Sequence, residues 1–248
     1  MKHRRFRIEK ERIQGREAVI EDPGEIRRIR QVLRLKPGDT LALFDGEGNE
    51  CNAVISSLSS RRVSLTLLQE LSPVVVESPL KVILGLGLLK SSRFDWLVQK
   101  VTELGVSEIV PFFSSRVVPR WEESKGRSRQ ARWQKIASEA ARQCRRVSIP
   151  KVHPPCSFEE MLAMEFAGAG KVFLWEEERA GTLKGALAQG ASTIYALVGP
   201  EGGFSQPEAL RAQEAGFLPV RLGPRILRAE TAGIVIVSLL QFSLGDLN

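Results

Sequence analysis

Two glycine-rich segments late in the chain constrain its fold more than any other feature. Leu197-Val198-Gly199-Pro200-Glu201-Gly202-Gly203-Phe204 and Leu222-Gly223-Pro224-Arg225-Ile226-Leu227-Arg228-Ala229-Glu230-Thr231-Ala232 each follow a short apolar run, at 193–198 and 218–222, and each precedes a helix-like pattern. An apolar strand that opens into a glycine loop and then a helix is the repeating unit of an open α/β sheet, and such sheets bind ligands at the carboxyl ends of their strands. Glycine lets the backbone itself approach a ligand, and charged side chains stand beside the glycines in both loops.

The alternation extends back to residue 81. Strand-like runs at 81–86, 109–113, 171–175, 193–198 and 218–222 are separated by helical patterns. Ser92 is placed to cap a helix whose Phe94, Leu97, Val98, Val101 and Leu104 keep helical spacing, with Gly105 at the C′ position. A second helix sets Trp133, Ile136, Ala137, Ala140, Ala141 and Cys144 on one face and arginines on the other. Further helices are expected near 182–188, from a Ser205 cap with Glu208 following, and from Ala229 onward. Such β-α-β units imply a mostly parallel sheet flanked by helices.

Before residue 72 the pattern differs. Short runs at 17–20, 40–44, 52–58 and 63–68, with turns at 36–39 and 45–48, predict a small β-barrel interrupted by one helix-like stretch at 25–33. Two Ser-Pro pairs around Val74-Val75-Val76 read as an extended connector. The expected organisation is a barrel domain at 1–72, a linker at 73–79 and an α/β domain at 80–248.

The chain of 248 residues carries a formal net charge of +7, unevenly spread. Residues 1–36 hold twelve Lys or Arg against six acids and residues 81–151 hold fifteen against six, whereas residues 152–248 hold seven against eleven. Basic stripes in the first half suit a polyanion, and the glycine loops sit in an acidic third. Cys51, Cys144 and Cys156 have no paired spacing, and with only His3 and His153 beside them no zinc cluster or disulfide framework is expected. The basic start lacks the apolar core of a secretory signal, and the apolar stretch 234–240 is too short for a membrane span and reads as a buried helix. A cytoplasmic location is the expectation.

Other motifs carry less. Gly85-Leu86-Gly87-Leu88-Leu89-Lys90-Ser91 lacks the glycine that a phosphate loop needs where Leu89 stands. Lys90 is either an RNA phosphate contact or a solvated lysine. Pro155-Cys156 is similar to the nucleophile dipeptide of pyrimidine C5-methyltransferases but lies in a proline-rich loop without a neighbouring cofactor signature, so it reads as structural.

The pair of glycine loops, in this order, resembles the signature of the SPOUT-class RNA methyltransferases, most closely the RsmE family, which methylates N3 of a uridine in 16S ribosomal RNA. Further matches run the length of the chain: Arg5-Phe6, Val32-Leu33-Arg34 with Pro37-Gly38-Asp39, Phe44-Asp45-Gly46, Lys90 with Phe94-Asp95-Trp96, Thr102-Glu103-Leu104-Gly105-Val106, and Arg132-Trp133 with Gln143-Cys144-Arg145. Where that family usually has a histidine pair, this chain has Arg27-Arg28, so no role of those histidines carries over. The resemblance implies a trefoil-knotted SPOUT sheet preceded by a PUA-like barrel, and a homodimer formed through the knotted domain, with Ile236 and Leu240 either core residues or facing the partner.

It also implies S-adenosylmethionine as methyl donor. Cofactor contacts are expected from Leu197, Val198, Gly199, Glu201, Gly202 and Gly203, from Leu222, Gly223, Ile226, Leu227, Arg228, Ala229 and Thr231, and from Leu174 and Glu176 at a third strand end. N3 of neutral uracil bears a proton and no free lone pair, so a proton acceptor is required. Glu201, with glycines on its C-terminal side, is the preferred acceptor and Glu230 the alternative, while Arg228 holds a uracil carbonyl or a phosphate. Arg4, Arg5, Phe6, Arg7, Arg34, Lys90, Arg93, Arg145 and Arg146 are the expected RNA contacts, and no metal is expected. Two other readings stand beside this one: a SPOUT enzyme acting on a ribose 2′-hydroxyl, and a non-catalytic RNA-binding or ribosome-assembly module. The N-terminal barrel and the Glu230-Thr231-Ala232 ending favour N3, and a mere binding module has no reason to keep both glycine loops.

Overall fold

A computed structural model of the chain describes residues 4–73, 77–115, 123–187 and 191–247. The centre of the expected connector, 74–76, and the last residue of the helix expected at 182–188 lie outside the described residues. The chain divides into two units, one reaching to Glu77 and also taking in Ala141–Ile149, the other made of Ser78–Ala140 and Pro150 onward.

The first unit contains β1 (Arg5–Arg7), β2 (Ile13–Gln14), β3 (Glu17–Ile20), α1 (Pro23–Arg27), β4 (Thr40–Phe44), β5 (Asn49–Leu58), β6 (Val63–Leu67) and β7 (Ser72–Pro73). They form one curled sheet in the order β1-β4-β5-β6-β3-β2, with β7 beside β5, in which the β1–β4 pair is parallel and the others are antiparallel. Strand alternation turns Leu41 and Leu43, Ala53 and Ile55, and Val63, Leu65 and Leu67 to one face, where they bury Phe6, Ile26 and Ile29. The stretch expected as one helix at 25–33 is two pieces. Asp22 caps α1 by accepting from Glu25 N, Pro23 occupies the first turn, and a π-helical turn over Arg28–Val32 follows. The wider turn still presents Ile29 to the core beside Ile26.

Residues 141–149, expected with the α/β domain, join the first unit through backbone bonds to Gly46 and Gly48 and through side chains, two of which stand out. Oε1 of Glu77 accepts from the backbone N–H groups of Val147 and Ser148 at 3.0 and 2.9 Å, and its Oε2 lies 2.8 Å from the Arg146 guanidinium. Arg5 donates to the Arg146 carbonyl at 2.7 Å.

The second unit contains β8 (Lys81–Gly87), α2 (Ser91–Glu103), β9 (Val106–Phe113), α3 (Glu123–Cys144, ending in the first unit), β10 (Lys151–Val152), β11 (Cys156–Ser157), α4 (Phe158–Leu162), β12 (Gly170–Leu174), α5 (Leu183–Ala186), β13 (Thr193–Val198), α6 (Gln206–Glu214), β14 (Leu218–Val220) and α7 (Ala229–Leu244). Its sheet runs β10-β9-β8-β13-β12-β14, with β11 also on β9, and every described pairing is parallel. Both faces are covered. Val82, Leu84 and Leu86 of β8 and Ile194, Ala196 and Val198 of β13 pack under α2, α3 and α7, while Ile83, Tyr195, Leu197 and Phe173 pack under α4 and α6. Each buried Leu- or Phe-sized side chain contributes about 1.5–3 kcal/mol, which explains why these strands read as continuous apolar runs.

One expectation for the helices is corrected. α2 begins at Ser91 with Lys90 as its N-cap rather than at a Ser92 cap. Ile236 and Leu240 of α7 are fully buried in the unit's own core, which decides between their two readings in favour of core residues. No helix among the described residues is long and apolar enough to cross a membrane.

Candidate active site

In the parallel sheet β12 has β13 on one side and β14 on the other, although β13 and β14 both follow it in sequence. The connections leaving β12 and its neighbours therefore diverge, and a crevice opens at their carboxyl ends. A cleft of about 280 Å³ lies there, lined by the loops that follow all three strands. It is close to the lower end of the ~300–1,000 Å³ typical of small-molecule sites.

The first wall is the loop after β13. Gly87 ends β8 without a side chain, and a Cβ there would sit 2.5 Å from the nitrogen of Pro200, so this glycine lets the loop cross the strand end. Gly203 has φ +65° and its Cα faces the Glu176 carboxylate. Val198, Gly199, Glu201, Gly202 and Gly203 all line the cleft. Leu197 does not: its side chain is buried on the opposite face of the sheet, leaving only its backbone toward the strand end.

Glu208 fixes where this loop ends. Its buried carboxylate accepts from Ser205 N and Oγ, both at 2.8 Å, completing the α6 capping box, and from Ser115 N at 2.8 Å, just beyond β9. Burial by itself would raise the pKa of this carboxyl. Donation from the Ser205 and Ser115 N–H groups and from the Ser205 and Ser114 hydroxyls outweighs that and holds it below the usual glutamate value.

The second wall follows β14, where Leu222, Gly223, Ile226, Leu227 and Ala229 line the cleft. Arg228 is the N-cap of α7, and Glu230 lies in its first turn, where a carboxylate suits the helix dipole. Neither Arg228 nor Glu230 lines the cleft, nor does Thr231. Oε2 of Glu230 is nonetheless buried without a hydrogen-bond partner.

The third wall, after β12, holds Leu174 and Glu176 and also Trp175 and Glu178, which the sequence reading missed. Their only signal was position, immediately past a strand end. Glu178 accepts from Ala180 N and Gly181 N at 2.7 and 2.8 Å, contacts that lower its pKa, the Gly181 N–H most. Pro200, Pro224 and Arg225, inside the two loops expected to hold the cofactor, complete the lining together with Val220, Arg221 and Ala232, which were not expected as contacts.

S-adenosylmethionine suits this cleft: apolar Val198, Leu222 and Leu227 stand against backbone-exposing glycines and the Glu176 and Glu178 carboxyls. Trp175 adds an orphaned donor, since its Nε1 is buried with no partner. An unpaired buried N–H costs about 1–3 kcal/mol, which a polar ligand would recover.

At the mouth of the cleft Oε1 of Glu201 lies 2.7 Å from Nη1 of Arg93 in the first turn of α2. Lys90, the helix N-cap, is exposed. The other expected RNA contacts belong to the first unit. Arg4, Arg7, Arg34 and Arg145 are exposed, Arg4 beside Asp39 at 3.0 Å. Arg5, Phe6 and Arg146 are a correction, being 5%, 0% and 8% exposed. Arg5 spans Glu50 at 2.6 Å and the Phe44 ring at 4.1 Å, and Arg146 is held by Glu77, so these residues build the unit rather than meet a phosphate.

Cys156 is inert as a nucleophile, its thiol pushed up to about 12 chiefly by burial. Among the described residues no cluster of His, Cys, Asp and Glu could hold a metal ion.

Comparison with known proteins agrees along the whole chain. Residues 76–241 match the RNA methyltransferase domain family and residues 20–68 the RNA methyltransferase PUA domain family. The Bacillus subtilis ribosomal RNA small subunit methyltransferase E is 32% identical over 225 residues, 88% of this chain and 87% of that one. A solved ribosomal RNA small subunit methyltransferase E from Neisseria gonorrhoeae, bound to S-adenosylmethionine, is 32% identical and superposes with a TM-score of 0.87 over 99% of this chain and 100% of its own. A Legionella pneumophila protein solved with the same cofactor is 31% identical, with a TM-score of 0.89 over 100% of both chains. These matches, with a parallel SPOUT-type sheet that follows a PUA-like half-barrel in sequence and a cleft at the β12 switch point, make this chain a member of the ribosomal RNA small subunit methyltransferase E family.

Proposed function

We propose that this protein transfers the methyl group of S-adenosylmethionine to N3 of a uridine in the 16S ribosomal RNA of the small subunit. The observation that carries the reading is the convergence of three strand-end loops on one cleft that has a carboxylate, Glu201, on its wall. Bound there, S-adenosylmethionine supplies a methyl group already activated on a sulfonium.

The protein's own groups hold, orient and deprotonate. Val198, Leu222 and Leu227 exclude water, backbone groups of 199–203 and 222–227 hold the adenosine, and Glu176 accepts from the ribose hydroxyls. Glu201 takes the proton from N3 and later passes it to water. The electron pair left on N3 forms the new bond to the methyl carbon, and the carbon–sulfur pair returns to sulfur. Arg228, at the α7 cap, takes a uracil carbonyl or a flanking phosphate. Exposed Arg4, Arg7, Arg34, Arg145 and Lys90 grip the RNA backbone.

A homodimer working in the cytoplasm belongs to the same reading. It is supported by large apolar side chains left exposed on α2 and α7, Trp96 at 46% and Phe242 at 61%. The test is direct: undermethylated small subunits incubated with labelled donor should gain 3-methyluridine at one nucleotide. Label in a ribose 2′-O-methyl group would replace this reading with the ribose one, and no label at all would leave a binding module.

A further inference from the structure

Glu201 has a proton to accept in the reading above, yet its carboxylate is already engaged by Arg93, which lies 108 positions away in sequence on another strand-end segment. Oε1 must give up the guanidinium before that oxygen can serve the cleft. The pair is open to solvent, with side chains 42% and 38% exposed, and such exposed pairs are worth about 0–1 kcal/mol. An anion of similar strength therefore exchanges with Glu201 at little cost. A phosphodiester is such an anion, and it offers two oxygens to the planar fork of the guanidinium. Arg93 is positioned for it, because the first turn of α2 has no acid of its own and its N-cap is the exposed Lys90. Glu201 is thus the group that RNA must displace.

Resting on the proposed function, we infer that Arg93 is an exchange residue. A backbone phosphate beside the target uridine takes Arg93, and the released Glu201 carboxylate becomes available to the N3 proton. The device ties deprotonation to the arrival of RNA, so Arg93 acts as a positioning residue and Glu201 as an internal competitor of the substrate.

Competition makes a prediction that a static ion pair does not. Removing the charge of Glu201 should tighten RNA binding, and only while Arg93 is present. The experiment is a four-member cycle of wild type, Glu201→Gln, Arg93→Ala and the double variant, with fold checked by circular dichroism. Each is titrated with undermethylated small subunits, without donor, at several salt concentrations. Glu201→Gln should bind at least threefold more tightly than wild type, Arg93→Ala more weakly with a shallower salt dependence, and the Glu201→Gln gain should vanish in the Arg93→Ala background. Unchanged or weakened binding by Glu201→Gln, or equal tightening in both backgrounds, overturns the exchange. Failure of wild type to bind or methylate subunits would instead overturn the proposed function, and Arg93→Lys, which keeps the charge but not the fork, should recover only part of the affinity lost by alanine.

Discussion

A methyl group on Gly203 would overlap Oε1 of Glu176, so two of the three cleft walls meet at an atom with no room for a side chain. Gly203 also has φ +65°, where an L-residue costs about 1 kcal/mol. Gly203→Ala should leave the protein folded but push Glu176 out of the cleft, weakening S-adenosylmethionine binding by more than tenfold, or about 1.4 kcal/mol. Calorimetry on the folded variant checks this, and unchanged affinity would remove the Gly203–Glu176 contact from the site.

Glu201→Gln keeps the shape of the cleft mouth and removes the basic carboxylate. Turnover should fall by about 10²-fold while donor affinity is preserved. The variant should regain rate as pH rises, because uridine then ionises in solution without help. Normal turnover at neutral pH would transfer the role to Glu230, whose buried Oε2 has no partner, or to water.

Glu208 gives a stability prediction with a definite sign. Its folded-state pKa lies below the usual glutamate value of about 4.3, so its contribution is present above that pH and is lost as pH falls through the folded-state pKa. Glu208→Ala should cost about 2–3 kcal/mol by orphaning the N–H groups of Ser205 and Ser115. Urea unfolding of wild type and variant at neutral pH and in acid should show the gap narrowing in acid. A gap constant with pH would mean that the charge is not what holds these loops.

Arginines of the first unit should sort by burial. Arg5→Ala breaks a half-buried pair with Glu50 and the buried bond to the Arg146 carbonyl, and should destabilise by about 2 kcal/mol. Arg7→Ala, at an exposed position, should change stability by less than about 0.5 kcal/mol and make the salt dependence of RNA binding shallower by about one unit of slope. Thermal unfolding together with salt-dependent RNA titration separates the two, and a stable Arg5→Ala that loses RNA would return Arg5 to the RNA surface.

The homodimer is checked by light scattering. Phe242→Glu should shift the protein to monomers at micromolar concentration if the exposed face of α7 is the contact, and a wild type already monomeric would end that expectation.

What could be read from the sequence follows from how local each cause is. The strands at 40–44 and 193–198 and the Ser205–Glu208 capping box were legible because apolar alternation and cap chemistry act over a few residues. The glycine loops were legible for the same reason. Trp175 and Glu178 were not, since only the placement of β12 between β13 and β14 brings that third strand end to the cleft. Arg5 and Arg146 were misread because a count of charge cannot tell a solvated arginine from one paired with Glu50 or Glu77. The Arg93–Glu201 contact joins residues too distant in sequence for any pattern to pair them.

The attachment of residues 141–149 to the first unit also bears on how the protein is made. Chains emerge from the ribosome at about 5–20 residues per second, and an N-terminal unit ordinarily closes while the remainder is still being synthesised. Here Glu77 waits for Arg146, 69 positions later, and Arg5 waits for the carbonyl of the same residue, 141 positions later. For several seconds the nascent barrel carries a carboxylate whose guanidinium partner does not yet exist, and an Arg5 that has met Glu50 but not its second acceptor. The first unit cannot finish folding until Ile149 has been made, well into synthesis of the second, and a fragment ending at the connector would be held indefinitely in that unfinished state.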